Sequence, residues 1–203
     1  MSMLDVKKNY IITEAADQFS KRPIKDVTIK DIAVAAGVGE ATVYRYFGTK
    51  GDLIVACVEK LEKEVSGIFI DKKTPFSPLS AIERFYNAYL VIFNEKPQLY
   101  RFLNEFDAYV INEGIGGLDS YADAIDAYKD LFIQAYELGV AEGTINKVSN
   151  IDLFYYSTTH AIIALCKKLS YEKPVIRQDL KAEEEKENEI STLIGIILDT
   201  LRK

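Results

Sequence analysis

Apolar residues recur at three- and four-residue spacing along nearly the whole chain, and no stretch alternates for long with period two. That periodicity predicts an all-α protein. Ile11, Ile12, Ala15, Ala16 and Phe19 give the first stripe, over residues 5–20. The segment KRPIKD ends it, because Pro23 disfavours helix at the residue before it. Thr28 followed three residues later by Asp31 has capping-box spacing, with Asp in place of the usual Glu or Gln. Ile29, Ile32, Ala33 and Ala36 then share one face of a short helix that Gly37 stops. A second short helix is expected over residues 39–47, with Val43 and Phe47 turned inward. Thr49 and Asp52 repeat the Thr-x-x-Asp start. The long helix behind them carries Leu53, Ala56, Cys57, Leu61, Val65 and Ile68.

Pro75 and Pro78 in KKTPFSP mark a loop. A helix over residues 79–94 ends before Pro97, which suits the first turn of the next helix. NEGIGG (112–117) is a loop. Residues 119–138 put Tyr121, Ile125, Tyr128, Phe132 and Tyr136 on one stripe, and Gly139 and Gly143 are expected to close that helix. Residues 150–169 and 183–202 give the last two, for about nine helices in all. The run EEEKE at 183–187 reads as a solvated first turn favoured by the helix dipole. There is no internal repeat.

Composition adds bounds. The chain has 203 residues, 48% hydrophobic and 28% charged, the profile of a soluble globular protein. It has no apolar run of membrane-spanning length and no secretory h-region, so a cytoplasmic protein is expected. Cys57 and Cys166 fit no metal-ligand spacing and read as reduced, packed thiols. His160 is the sole histidine, a core or interface residue rather than a zinc ligand. No metal and no cofactor are expected. Without a nucleophile–base pair or a phosphate loop, the chain is not expected to be an enzyme. Charge is uneven: residues 1–50 hold eight Lys/Arg against six Asp/Glu, in a chain whose formal charge is −6. A slightly basic head can approach an anion while an acidic body stays clear of it.

The two short helices around Gly37 have the geometry of a helix-turn-helix. A helix fits the major groove, and a crossing helix must hold it there. Ala33, Ala35 and Ala36 allow close crossing, and Val38 and Val43 anchor the second helix. Its outer face is then Glu40, Ala41, Thr42, Tyr44, Arg45 and Tyr46. Hydroxyls and cations of this kind hydrogen-bond phosphate oxygens. Lys50 and Thr49, at the next helix N-terminus, make a phosphate seat.

The segment TIKDIAVAAGVGEATVYRYFGTKGDL (28–53) resembles the DNA-binding signature of TetR-type transcriptional regulators. The likeness lies in the Ala-Gly-Val turn, the Thr-x-Tyr-x-Tyr-Phe of the recognition helix and the Lys-x-x-Leu that opens the fourth helix. It is specific over about fifty residues, and the rest agrees only in helix number, length and order. The resemblance implies an N-terminal three-helix DNA-binding domain (1–50) and a larger helical domain for effector binding and dimerisation (51–203). It implies a homodimeric, ligand-responsive repressor on a palindromic operator in double-stranded DNA. By position, Thr28, Thr42, Tyr44, Tyr46 and Lys50 would touch phosphates, and Lys30, Glu40, Ala41 and Arg45 would face base edges. Two residues depart from the pattern. Gly39 stands where Ser is common, a tolerable cap. Glu40 stands where a polar or basic residue is frequent. Either it is a favourable first-turn charge or it accepts from a cytosine amine.

The body is rich in aromatics. Phe85, Tyr89, Phe93, Phe106, Tyr128, Phe132, Tyr136, Phe154 and His160 suggest a pocket for an apolar or aromatic effector, with a few polar tips in an apolar wall. The last two helices suggest a two-fold, four-helix interface. One contributes Leu153, Ser157, Ala161, Ala164 and Leu165, the other Ile190, Leu193, Ile194, Ile197 and Leu201. An effector between the middle helices would change the separation of the two recognition helices. The alternative reading is a small-molecule-sensing or interaction protein of the same fold without sequence-specific DNA binding.

Overall fold

The computed structural model describes residues 3–69, 77–171 and 183–203. Among them are nine α-helices and one 3-10 turn. They run α1 (Met3–Lys21), the turn (Ile24–Asp26), α2 (Ile29–Ala35), α3 (Glu40–Phe47), α4 (Lys50–Phe69), α5 (Pro78–Glu95), α6 (Pro97–Glu113), α7 (Asp119–Ala141), α8 (Ile151–Leu169) and α9 (Glu183–Leu201). An isolated bridge between Ile145 and Arg202 is the extent of β pairing among the described residues. The chain is all-α, as its periodicity predicts. Pro75 and the start of its loop lie outside the described residues.

The helix starts follow the capping chemistry. Asp31 N donates to Thr28 Oγ1 at 3.1 Å, and Thr28 N donates to Asp31 Oδ2 at 2.9 Å, so the capping box is complete. These bonds hold the Asp31 carboxyl below its ordinary pKa. Thr49 and Asp52 repeat the exchange at α4, with bonds of 3.0 and 3.1 Å. One helix end differs from expectation. Gly139 does not close α7, which runs on to Ala141. A Cβ there would collide with the side chains of Ile145 and Pro78, so the glycine serves a close approach inside the helix. Closure falls to Gly143, at φ +71°.

The chain divides into two compact units, Met1–Glu64 with Arg101–Ala122 and Val65–Tyr100 with Asp123–Lys203. Compactness thus groups residues differently from a functional boundary at 50/51. The first unit is built on Ile11, Phe19, Ile24, Ile32, Val43, Phe47, Leu53 and Val58, joined by Phe102 and Phe106 of α6. The second packs α5, α8 and α9 together around Ile82, Tyr86, Ile162, Ile190 and Leu198. Cys57 and Cys166 are buried and unpaired. Burial raises the Cys57 thiol and pushes that of Cys166 up to about 12, which leaves both as packed thiols rather than nucleophiles.

Candidate nucleic-acid interface

The site is built by the α2–turn–α3 segment. Val38 N donates to Ala33 O at 2.9 Å across Gly37, whose φ of +61° gives the tight turn. Gly39 is the N-cap of α3 in extended backbone, with no side-chain bond. Val43 and Phe47 are buried, so α3 is anchored by one stripe. Each residue turns about 100° around a helix, which puts Ala41 and Arg45 opposite that stripe and Tyr44 on its flank, while Glu40, three residues before Val43, continues the stripe at the open first turn. All four are exposed, and Thr42 and Tyr46, on the other flank, are half-buried. Thr28 and Lys30 are exposed at the start of α2. The Thr28 hydroxyl accepts from the Asp31 amide and keeps its own proton to donate.

Two members of the expected set point elsewhere. The Tyr46 hydroxyl is buried and has no hydrogen-bond partner, so it does not stand on the surface where a phosphate would meet it. Its ring packs 6.2 Å from Phe47, and the Arg45 guanidinium lies 5.4 Å above it. The Lys50 ammonium is turned inward. It donates to the Ile24 carbonyl and sits 5.4 Å from the centre of the Tyr109 ring. Burial lowers its pKa, against the Asp26 and Glu113 carboxylates, which raise it. Glu40 makes no ion pair among the described residues; neither Lys30 nor Arg45 reaches it. Sequence reasoning passed over Val34, which is 74% exposed on α2. Its place outside the Ile29–Ile32–Ala33–Ala36 stripe was the available signal.

The expected ligand set is split. Phe85, Tyr89, Tyr128 and Phe132 do gather in the second unit, ring against ring. Phe85–Phe132 centroids are 5.2 Å apart and Phe85–Tyr89 5.7 Å. Phe69, Tyr86 and Tyr155 belong to the same cluster, with Phe69 stacked on Tyr128 at 4.6 Å. Phe93 lies against Tyr100 at 6.3 Å, and the Tyr136 hydroxyl accepts from Val148 N at 2.8 Å. Phe106 belongs to the first unit, between Phe102 and Tyr121. Phe154 is half-buried. His160 is exposed, 6.0 Å from the exposed Tyr156, because it lies on the outer face of α8 rather than the inner one. Separately, the first unit carries a groove of about 470 Å³ between α1 and α4, lined by Lys8, Ile12, Ala56, Lys60 and neighbours. Among the described residues no group of His, Cys, Asp or Glu is placed to hold a metal ion.

The expected dimer helices also divide. Leu153, Ser157, Ala161 and Ala164 are exposed along α8, with Leu165 half-buried. On α9, Ile190, Ile194, Ile197 and Leu201 are at most 5% exposed within the single chain, so that stripe is core and not contact surface. Leu193 is half-buried, and Ile196, which the stripe omitted, is 63% exposed. Lys129 of α7 pairs with Asp152 of α8 at 2.7 Å and lies over the Tyr156 ring at 4.7 Å, fixing the edge of this face.

Residues 11–57 match the family model of bacterial regulatory proteins, tetR family. No curated protein matches the chain. Among solved structures, a TetR transcription regulator from Haloarcula marismortui is similar over 98% of this chain and 100% of its own, at 17% identity and a TM-score of 0.72. The ketosteroid transcriptional regulator KstR2 of Mycobacterium tuberculosis is similar over 97% and 95%, at 16% identity and 0.68. The TetR family transcriptional regulator PfmR of Thermus thermophilus is similar over 95% and 99%, at 18% identity and 0.65. At these identities the likeness is one of fold.

Proposed function

We propose that this chain, TetR-type in its head and in its fold, is a DNA-binding transcriptional regulator that represses from a palindromic operator and leaves it when a small apolar or aromatic effector binds. The observation that carries the reading is the outward arc of α3. Glu40, Ala41, Tyr44 and Arg45 stand exposed over a buried Val43–Phe47 stripe, inside the segment that matches the family model. In this reading Arg45, Glu40, Ala41 and Lys30 face base edges, and Thr28, Thr42 and Tyr44 hold phosphates. Domains divide at 50/51.

A palindrome needs two heads about one DNA turn apart, roughly 34–36 Å or a multiple. The exposed face of α8, with its small residues, together with Ile196 of α9, supplies a self-complementary surface for that pairing. The aromatic cluster around Phe85 and Phe132 is the effector region. Its rings already touch, so a ligand enters by parting them. Operator and effector then weaken one another reciprocally. No helix of the described residues is long and apolar enough to cross a membrane, and the proposed setting is the cytoplasm.

Selection of bound duplexes from a random pool tests the reading. An enriched palindrome whose binding weakens steeply with salt is expected. Salt-sensitive binding with no enriched sequence overturns it in favour of a sensing protein without an operator. The exposed, unpaired carboxylate of Glu40 on α3 is the observation that favours that second reading.

A further inference from the structure

Lys50 occupies the first turn of α4, where free amides and the positive end of the helix dipole favour an anion. Its ammonium nevertheless points into the first unit. It donates to the Ile24 carbonyl of the 3-10 turn and lies against the face of Tyr109 on α6. Asp26 and Glu113 add attraction from the turn and from the end of α6. A second contact fastens the same place. The loop after α6 lays Ile115 on the first turn of α4, with Ile115 Cδ1 only 2.9 Å from where a Cβ on Gly51 would stand. A side chain at Gly51 would push the end of Ile115 aside. Two segments of one unit therefore hold the side chain best placed by sequence to reach DNA, and a third packs on the residue after it.

We propose that the Tyr109 ring, with the Ile24 carbonyl, competes with a DNA phosphate for the Lys50 ammonium. The inference rests on the DNA-binding reading. Lysine carries its charge on a flexible four-carbon stem with three rotatable donors, so it can hold an internal site in the free protein and swing to a phosphate in the complex. An ammonium over an aromatic face is held by the ring quadrupole. Leaving that face costs part of what the phosphate contact gains. The ring is thus a built-in restraint on affinity for every sequence alike, since a phosphate contact carries no base information.

The test compares salt titrations of wild type, Tyr109→Leu, Tyr109→Phe and Lys50→Met on a duplex selected by the wild type and on an unrelated duplex. Tyr109→Leu removes the ring face and is expected to tighten both complexes about two- to fivefold, the worth of an exposed cation–π contact. Tyr109→Phe keeps the face and should bind as wild type. Lys50→Met should lower the salt slope by about one, and in that background Tyr109→Leu should have no effect. If leucine disturbs folding in a thermal melt, Tyr109→pentafluorophenylalanine keeps the shape and reverses the quadrupole, with the same gain expected. A Tyr109 variant that binds no tighter, a gain that persists without Lys50, or a Lys50→Met salt slope equal to wild type each overturns the proposal. Wild type that binds neither duplex at low salt overturns it together with the DNA-binding reading, a result distinct from the other three.

Discussion

In the second unit three buried tyrosine hydroxyls are committed to structure. Tyr86 shares a 2.8 Å bond with Thr158, Tyr100 donates to the Tyr89 carbonyl at 2.9 Å, and Tyr136 accepts from Val148 N. Burial pushes the phenols of Tyr86 and Tyr100 well up, so they remain neutral. In the first unit the pattern is reversed. Tyr44 is 49% exposed on α3, and the Tyr46 hydroxyl is buried with no partner among the described residues. In the sequence, aromatic content points to the body as the place of effector binding, and the hydroxyls and cations of residues 40–50 point to the head as the place of DNA contact. Polar satisfaction refines the body's part: with the hydroxyls of Tyr86, Tyr100 and Tyr136 already bonded, a ligand there meets mainly apolar ring surface. The body's uncommitted surface is its outer α8 face instead.

The largest effect should come from breaking that outer face. Leu153→Glu combined with Ala161→Glu places like charges in the proposed two-fold interface. Both residues are exposed, so the monomer should stay folded with its unfolding midpoint little changed. Affinity for a palindromic duplex should fall about 10²- to 10⁴-fold as two linked heads become one. A dimer that persists by light scattering would remove α8 from the interface. A charge at Ile197 of α9 would act differently: that side chain is core, and burying a charge there unfolds the chain.

A smaller effect sharpens the contrast between the tyrosines. Tyr86→Phe loses a formed bond and should cost about 1 kcal/mol in urea unfolding. Thr158 keeps its bond to the Phe154 carbonyl, so no new orphan arises. Tyr46→Phe deletes an unpartnered buried hydroxyl and should be neutral or stabilising by about 1 kcal/mol. Equal losses in the two variants would mean that the Tyr46 hydroxyl is satisfied in solution, and the contrast would collapse.

Much of the fold was legible because its signals are local. The Thr28–Asp31 and Thr49–Asp52 spacings became real caps, and the Val43–Phe47 stripe fixed which side of α3 faces out. What escaped is non-local. Periodicity marks Ile190, Ile194, Ile197 and Leu201 as one apolar face, but it does not say whether that face meets α5 and α8 of the same chain or a second copy. Lys50 was read from its helix-start position, while Tyr109 and Ile24, which hold it, come from remote segments. Gly139 was read as a stop because glycine commonly ends helices; the approach of Ile145 that requires it was invisible in sequence. Tyr46 lies at the edge of the exposed arc, where a short helix leaves inside and outside nearly balanced.

The smallest expected effect concerns Glu40, the odd charge on the face proposed to read DNA. It is the first residue of α3, and in this motif the recognition helix contacts bases through its N-terminal residues. A carboxylate there meets the negative field of the phosphates. Pairing with Lys30 or Arg45 would have screened it, and neither pair forms among the described residues. The remaining compensation is a donor in the groove, and cytosine N4 is the base-edge donor suited to a carboxylate, a contact worth about 1 kcal/mol or more of discrimination. Glu40→Gln should therefore do two things at once. Removing a negative charge should raise affinity for unrelated duplexes by a few fold. Replacing an acceptor-only group by one that also donates should relax the preference at one base pair of each half-site, since glutamine can satisfy adenine as well. Parallel selections with wild type and Glu40→Gln measure both. If affinity rises while the selected motif is identical at every position, Glu40 reads no base and acts only as the favourable charge at the start of α3.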